Sequence, residues 1–222
     1  MRRFRDREEA GEELGELLLR MSLDDPVVYA LPRGGAPVAG AVAETLNAPF
    51  DVIIVRKIGA PGFEELAIGA VADGAEPVVV IHDHAVEELG VSDDYIARAK
   101  NTALAEIERR RKLYRDRLPV QRAAGRTAIL VDDGLATGST MEAAVLAVRK
   151  GRARRIVIAV PVAPRDVAAR MRALADDFVC LSFPSPFIAV GACYDDFRQL
   201  TDADMSALIS RVGKDGLFKS GS

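Results

Sequence analysis

Two adjacent carboxylates, followed by a loop of small and hydroxyl-bearing residues, form the part of this sequence best suited to chemistry. Asp132 and Asp133 come directly after the apolar segment 128–131, and the loop leads into a helix-favouring segment. Amides at a helix N-terminus and hydroxyl side chains donate to phosphate, whereas carboxylates accept from sugar hydroxyls. We therefore expect a two-part site that fits ribose 5-phosphate. The expected phosphate ligands are Gly134, Ala136, Thr137, Gly138, Ser139 and Thr140.

The elements that must position this site alternate between strands and helices. Apolar segments that predict strands occur at 27–31, 51–55, 128–131, 155–160 and 178–181. Helices are predicted at 8–21, 36–46, 92–118, 139–150, 166–175 and from 201 onward, and a short hairpin at 67–71 and 77–81. Uninterrupted apolar strands that alternate with helices are typical of a mainly parallel sheet covered on both faces. The fold class is therefore predicted to be α/β.

The composition of the chain argues against several classes of protein. The chain has 222 residues, is 49% hydrophobic and carries a formal charge of −3, so it favours a globular domain with no overall bias towards polyanions. Two cysteines, Cys180 and Cys193, are too few for a disulfide framework and lack zinc-site spacing. No apolar segment has the length needed to span a membrane. We expect a cytoplasmic protein without membrane partners.

The segment 128–141 resembles the signature of the type I phosphoribosyltransferases, in which an apolar strand, two acids and a small-residue loop end in Thr-Gly-x-Thr. The resemblance implies the fold of that family and binding of phosphoribosyl pyrophosphate (PRPP). It implies that Asp132 and Asp133 are the catalytic residues and hold the 2- and 3-hydroxyls of the ribose, while residues 136–140 hold the 5-phosphate. It also implies Mg²⁺, held indirectly through the two acids and bridging the pyrophosphate oxygens.

A second match lies after the first predicted strand. Leu31-Pro32-Arg33-Gly34-Gly35 resembles the pyrophosphate loop of the family, which implies a cis peptide bond before Arg33. Arg33, Gly34 and Gly35 are then expected to bind pyrophosphate. Arg56 and Lys57, at the end of the second strand, are similarly placed in the resemblance, with a solvated pair as the alternative. The Gly- and Pro-containing segment 59–66 matches the mobile loop of the family in position.

The acceptor side is the variable part of the family, called the hood. Here it is expected from residues 161–164 and 183–197, with a contribution from the N-terminal helix. Phe187 and Tyr194 could stack on a flat base and Asp195 could accept from its ring nitrogen or amine, although aromatic residues at such spacing also occur in cores. Ala136 stands where hypoxanthine-guanine members carry a third Asp. We expect a single domain over 1–212 (core 27–182, lid 59–76, inserted helix 92–118, hood 183–200) and a flexible tail at 213–222.

The resulting hypothesis is a magnesium-dependent phosphoribosyltransferase that joins PRPP to a nitrogenous, heterocyclic acceptor and releases pyrophosphate. The alternative is a PRPP-binding regulator without turnover, contacting nucleic acid through the basic run 109–117. Glu106 and Glu108 precede that run and favour local ion pairs on a solvated helix face, so a nucleic-acid partner is not the leading expectation. A homodimer is expected from the family resemblance alone.

Overall fold

A computed structural model of the protein describes residues 2–73, 77–115, 118 and 120–215. The strands are β1 (Pro26–Ala30), β2 (Phe50–Val52), β3 (Val55–Ala60), β4 (Phe63–Ala72), β5 (Val78–Ile81), β6 (Thr127–Val131), β7 (Arg155–Val162) and β8 (Asp177–Ser182). The helices are α1 (Arg7–Leu19), α2 (Gly35–Leu46), α3 (Asp83–Glu88), α4 (Asp93–Arg115), α5 (Ser139–Lys150), α6 (Arg165–Leu174) and α7 (Asp202–Asp215), with a 3-10 turn at Val190–Cys193.

The central sheet has five strands in the order β2-β1-β6-β7-β8, and every neighbouring pair is parallel. This confirms the predicted parallel sheet. In the register, Ala30 lies beside Val131, and Val131 lies beside Ala159. Because parallel strands end at the same edge, the segments that follow β1 and β6 leave the sheet side by side.

Alternate residues of the central strands pack into two separate cores. Val28 and Ile129 belong to the core under α1 and α2, where Leu14 and Val42 are fully buried. Tyr29 and Leu130 belong to the core under α5 and α6, which includes Met141, Val145 and Val167. The sheet is therefore covered on both faces, which explains why its central strands β1, β6 and β7 are largely apolar and show no polar alternation.

The second sheet is antiparallel, in the order β3-β4-β5. It corrects two expectations. The predicted strand 51–55 is divided, because β2 ends at Val52 and β3 begins at Val55. The predicted loop 59–66 is the β3–β4 hairpin, whose turn contains Gly62 at φ +75°. The predicted hairpin of 67–71 with 77–81 is present as β4 and β5, but residues 74–76 at its turn lie outside the described residues.

The N-terminal segment joins the predicted hood. The Phe4 amide donates to the Cys193 carbonyl at 2.9 Å, and the Asp195 amide donates to the Phe4 carbonyl at 2.8 Å. Phe4 and Tyr194 are almost fully buried beside each other, with ring centres 5.7 Å apart. These contacts tie the start of α1 to the 190–197 segment.

Helix α4 is described from Asp93 to Arg115; residues 116, 117 and 119, near its predicted end at 118, lie outside the described residues, as does the predicted tail from 216. Residues 213–215 of that tail belong to α7. Among the described residues, no helix combines the length and apolarity that crossing a bilayer requires.

Candidate active site

The two acids leave the sheet at the end of β6 and face the start of α2, which follows β1. The Asp133 amide donates to Asp132 Oδ1 at 2.9 Å, so the Asp132 side chain is fixed against the backbone of Asp133. A Cβ at Gly34 would lie 2.2 Å from Asp133 Oδ2, and one at Gly35 would lie 2.7 Å from the Asp132 Cα. Glycine at both positions therefore lets the loop after β1 approach the carboxylates.

Arg7 holds the second acid from the opposite side. Its Nε donates to Asp133 Oδ2 at 2.8 Å, and its Nη1 donates to the Arg198 carbonyl at 3.1 Å. The guanidinium carbon lies 3.7 Å from the ring centre of Phe197, and the Tyr194 hydroxyl donates to the Asp133 carbonyl at 2.6 Å. Both the side chain and the backbone of Asp133 are thus held by the hood.

Sequence reasoning missed Arg7, although a signal exists. The buried residues of α1 are Arg7, Ala10, Gly11, Leu14, Gly15 and Leu18. Arg7 is the first member of this three- and four-residue repeat, so helical periodicity directs it into the protein with the apolar residues. A charged residue at such a position needs a buried partner of opposite charge.

Burial and proximity shape the electrostatics of the acids. Burial raises the pKa of the Asp132 carboxyl well above its usual value, the Asp133 charge raises it further, and Arg7 and Lys57 oppose the rise. Burial also raises the pKa of Asp133, against the hydrogen bond and charge of Arg7. Two poorly hydrated carboxylates favour ligands that bring donors or positive charge.

The predicted phosphate loop connects the acids to the N-terminus of α5. Gly138 has φ +81°, a backbone conformation that favours glycine, and a Cβ there would lie 3.0 Å from the flexible end of the Met171 side chain. The Thr137 and Ser139 hydroxyls are 3.3 Å apart, and Arg170 Nη2 donates to the Thr137 carbonyl at 2.6 Å. Ala136 and Thr137 are exposed, and Ser139 and Thr140 are partly exposed, whereas Gly134 is buried. The loop is therefore accessible to a ligand at Ala136, Thr137, Ser139 and Thr140, while Gly138 is buried.

The loop after β1 carries the expected backbone feature, since the Pro32–Arg33 peptide bond is cis. The Arg33 side chain extends elsewhere: its Nη1 lies 3.7 Å from Asp202 Oδ1 on α7. Arg33 is thus directed towards α7, and the residues of this loop that line the cleft in front of the acids are Leu31, Pro32 and Gly34.

A cleft of about 900 Å³ opens in front of the acids. Arg56 and Lys57 of β3 line it together with Thr140 and Phe197. The opposite wall is one face of α4, and only its last residue, Arg110, belongs to the basic run 109–117 that was expected to be a solvated surface. That face repeats every three or four residues and consists of Tyr95, Arg98, Ala99, Thr102, Ala103, Glu106 and Arg110.

The three residues predicted to bind the acceptor are not among those that line this cleft. Tyr194 is 2% exposed and packs between Phe4 and Phe197, so it belongs to the hood interior, which corrects the stacking role expected for it. Asp195 pairs with Arg3 at 2.8 Å. Phe187 is partly buried, and among the described hood residues it is Phe197 that lines the cleft. For Tyr194, the structure fits the alternative that it is a core residue.

Comparison with known proteins agrees with this geometry. The model of the phosphoribosyl transferase domain family matches residues 6–196, which is most of the chain, and the chain belongs to that family. Arg7, Asp133, Tyr194 and both loops lie within the matched region, whereas Phe197 and Arg198 lie just beyond it.

Particular relatives are similar over nearly the whole chain. Two curated proteins of Mycobacterium tuberculosis, from strains CDC 1551 and H37Rv, each named "Putative phosphoribosyl transferase", are 41% identical over 218 residues and 97% of this chain. The chain spans 48% of the length of each of them. The crystal structure of TT1426 from Thermus thermophilus has 43% identity and a TM-score of 0.82, covering 95% of this chain and 99% of that one.

Proposed function

We propose that the protein transfers the ribose 5-phosphate group of PRPP to a nitrogenous, heterocyclic acceptor and releases pyrophosphate. The observation that carries this proposal is the junction of β1 and β6. The cis peptide loop and the paired acids leave adjacent parallel strands, and the Leu31 amide donates to the Val131 carbonyl at 3.0 Å. The proposal assigns three subsites to this junction, for pyrophosphate, ribose and phosphate.

In this proposal each subsite uses residues of matching chemistry. Asp132 and Asp133 accept hydrogen bonds from the 2- and 3-hydroxyls of the ribose. The amides and hydroxyls of residues 136–140 donate to the 5-phosphate at the N-terminus of α5. The backbone of the cis loop, with Arg56 and Lys57, holds the pyrophosphate. Arg33 would reach the pyrophosphate after it leaves Asp202.

The reaction is a displacement at the anomeric carbon. The bond between that carbon and the pyrophosphate oxygen breaks, and pyrophosphate leaves with the electron pair. A nitrogen lone pair of the acceptor forms the new bond, and any proton on that nitrogen passes to solvent. The developing positive charge on the ribose is close to the acid pair, which favours it electrostatically. The β3–β4 hairpin and α4 flank the cleft, and the Tyr95 hydroxyl joins them by donating to the Gly59 carbonyl at 2.9 Å.

The donor set fits Mg²⁺ in a limited way. Carboxylate oxygens are suitable ligands, but the described residues contain no group of three or more His, Cys, Asp or Glu side chains that could hold a metal. Asp132 and Asp133 would therefore hold the ion together with substrate oxygens and water. When bound, Mg²⁺ would neutralise charge on the departing pyrophosphate.

Two further parts of the proposal concern the cellular location and the oligomeric state. Both cysteines are free, which supports work in the reducing cytoplasm. A homodimer is proposed on the family resemblance.

Calorimetry and product release test the function. We expect PRPP with Mg²⁺ to bind the wild-type chain and the double variant Asp132→Asn with Asp133→Asn to lose most of that affinity. Asp166→Asn, an exposed carboxylate at the start of α6, is the control and should bind normally. Pyrophosphate release is then measured across purines, pyrimidines and related heterocycles.

The outcomes separate the alternatives. Acceptor-dependent release of pyrophosphate supports the enzyme. Binding of PRPP without turnover on any acceptor supports the PRPP-binding regulator. Absence of PRPP binding, or equal binding by the double variant, contradicts both.

A further inference from the structure

We infer that Arg7 is a positioning residue of the ribose subsite, fixing the Asp133 carboxylate so that both acids can receive the sugar diol. This inference rests on the proposed function and adds a residue from the N-terminal helix to that site. Arg7 lies 126 positions before Asp133 in the chain. Nothing in the two-acid signature itself identifies it.

Three contacts in different directions fix the guanidinium of Arg7. Its Nε donates to Asp133, its Nη1 donates to the Arg198 carbonyl, and its plane lies over the Phe197 ring. The Arg7 and Asp133 side chains are only 9% and 13% exposed. A planar group held at its edge and its face has one orientation, and it transmits that orientation to the carboxylate it contacts.

Asp133 is also held on its remaining sides. The Gly34 backbone lies against Oδ2, and the Tyr194 hydroxyl holds the Asp133 carbonyl. Oδ2 accepts from Arg7, and in this inference Oδ1 accepts from a ligand hydroxyl. The Asp132 carboxylate lies beside it, with Lys57 as a further nearby charge. The pair therefore presents acceptors in a fixed relation, as recognition of two neighbouring hydroxyls requires.

The location of the ion pair argues for more than a contribution to stability. Removing charges from water offsets much of their attraction, so a buried ion pair is a poor choice for stability alone. Both residues line the cleft, as does Phe197. The arginine is thus placed where the orientation of Asp133 affects bound ligand.

The test compares ligands that differ in the diol. Calorimetry measures binding of ribose 5-phosphate, of its 2,3-dideoxy analogue and of inorganic phosphate to the wild-type chain and to Arg7→Met, Arg7→Lys and Arg20→Met. Arg20 is exposed just beyond α1 and serves as the matched control. We expect Arg7→Met to reduce the preference for ribose 5-phosphate over the dideoxy analogue by about tenfold or more, the effect of weakening one charged hydrogen bond.

Inorganic phosphate should bind Arg7→Met as it binds the wild-type chain, because the phosphate loop does not contact Arg7 in the described structure. Arg7→Lys should restore part of the diol preference, and Arg20→Met should retain all of it. In steady-state assays, the KM for PRPP should rise more than kcat falls. A merely structural role would instead lower the affinity for all three ligands together.

The inference is overturned if Arg7→Met keeps the wild-type diol preference, or loses affinity equally for every ligand. If Arg7→Met does not fold, Arg7→Lys and Phe197→Leu, which removes the ring under the guanidinium, are measured in the same way. Absence of a diol preference in the wild-type chain would contradict the proposed function itself. The two failures are therefore distinguishable.

Discussion

Arg7 and the basic run of α4 show how differently arginine side chains can serve one cleft. Arg7 follows Arg2, Arg3 and Arg5 in the sequence, but it is buried and contacts a carboxylate of the site at 2.8 Å. Arg109 and Arg110 belong to a dense basic run, yet both donate to the same acid, Glu106, on their own helix at 2.8 Å. The comparison teaches that charge density along a sequence says less about function than where packing places each charge.

The physical reason lies in solvation. On the exposed side of α4, water and salt screen the ion pairs, and neighbouring acids compensate the basic residues. Within the hood, little water reaches the guanidinium of Arg7, so its partner must be provided by the fold. This predicts opposite sensitivities of the two regions to mutation.

The largest expected effect is that of Arg7→Met on stability. The change leaves the Asp133 carboxylate without its partner and the Arg198 carbonyl without its donor. Breaking a buried pair from one side costs about 3 kcal/mol or more, and for a chain of this size each kcal/mol lowers the melting temperature by about 2–4 °C. Thermal unfolding followed by circular dichroism measures the shift.

Arg109→Met is the matched control on α4, because it removes an arginine with a carboxylate partner at the same distance. Its melting temperature should equal that of the wild-type chain. Equal shifts for Arg7→Met and Arg109→Met would remove the distinction between the two regions.

A smaller effect is expected for the tyrosine hydroxyl of each region. Burial raises the pKa of Tyr194, so its phenol stays protonated and donates to the Asp133 carbonyl at 2.6 Å. Tyr194→Phe leaves that carbonyl without its donor and should cost about 1–2 kcal/mol. Tyr95→Phe removes a bond from the half-buried Tyr95 to the Gly59 carbonyl and should cost about 0.5 kcal/mol, since water can replace the lost donor.

Urea unfolding of the two variants provides the measurement. The prediction holds only if Tyr194→Phe lowers the free energy of unfolding more than Tyr95→Phe does. An equal or reversed order would show that the hydroxyl in the hood is replaced by water, and that the hood is more open than its burial indicates.

The features that could be predicted from the sequence are those carried by short, continuous segments of the chain. The strand, acids and loop from 128 to 140 form one continuous segment, and the cis bond before Arg33 belongs to another. The alternation of apolar strands and helices likewise predicted the parallel sheet. Each strand, acid pair and loop is a continuous stretch that can be recognised by itself, whereas the cis bond was implied by the family resemblance and the pairing of β1 with β6 joins distant segments.

The features that escaped prediction depend on distant partners. Arg7 acquires its role from Asp133, Phe197 and Arg198, and the α4 wall exists because the helix packs beside β3. The pairing of Arg33 with Asp202 depends on where α7 lies. Tyr194 has the residue type of a base-stacking ligand, but pairing of the N-terminal segment with the hood buries it. In all four cases the tertiary structure, and not the local sequence, determines what the side chains contact.

The smallest effect concerns the ionisation of Glu106. The hydrogen bond from Arg109, with Arg110 adding to it, lowers the pKa of Glu106 to about 2. A depressed carboxyl pKa means that the pair stabilises the fold above the ordinary pKa of 4.5, and that this contribution is lost as the pH falls towards 2. Nuclear magnetic resonance of the side-chain carboxyl carbon measures the titration directly.

Two manipulations make this titration decisive. Replacing both arginines, Arg109→Met with Arg110→Met, should return the pKa of Glu106 towards 4.5, and about 1 M salt should shift it in the same direction, because these pairs are accessible to solvent. The same salt should leave the Arg7→Met destabilisation nearly unchanged, since the buried pair is shielded from mobile ions. If the pKa of Glu106 does not change with salt, the face of α4 that lines the cleft excludes solvent as the hood does. The contrast between the two regions would then be wrong.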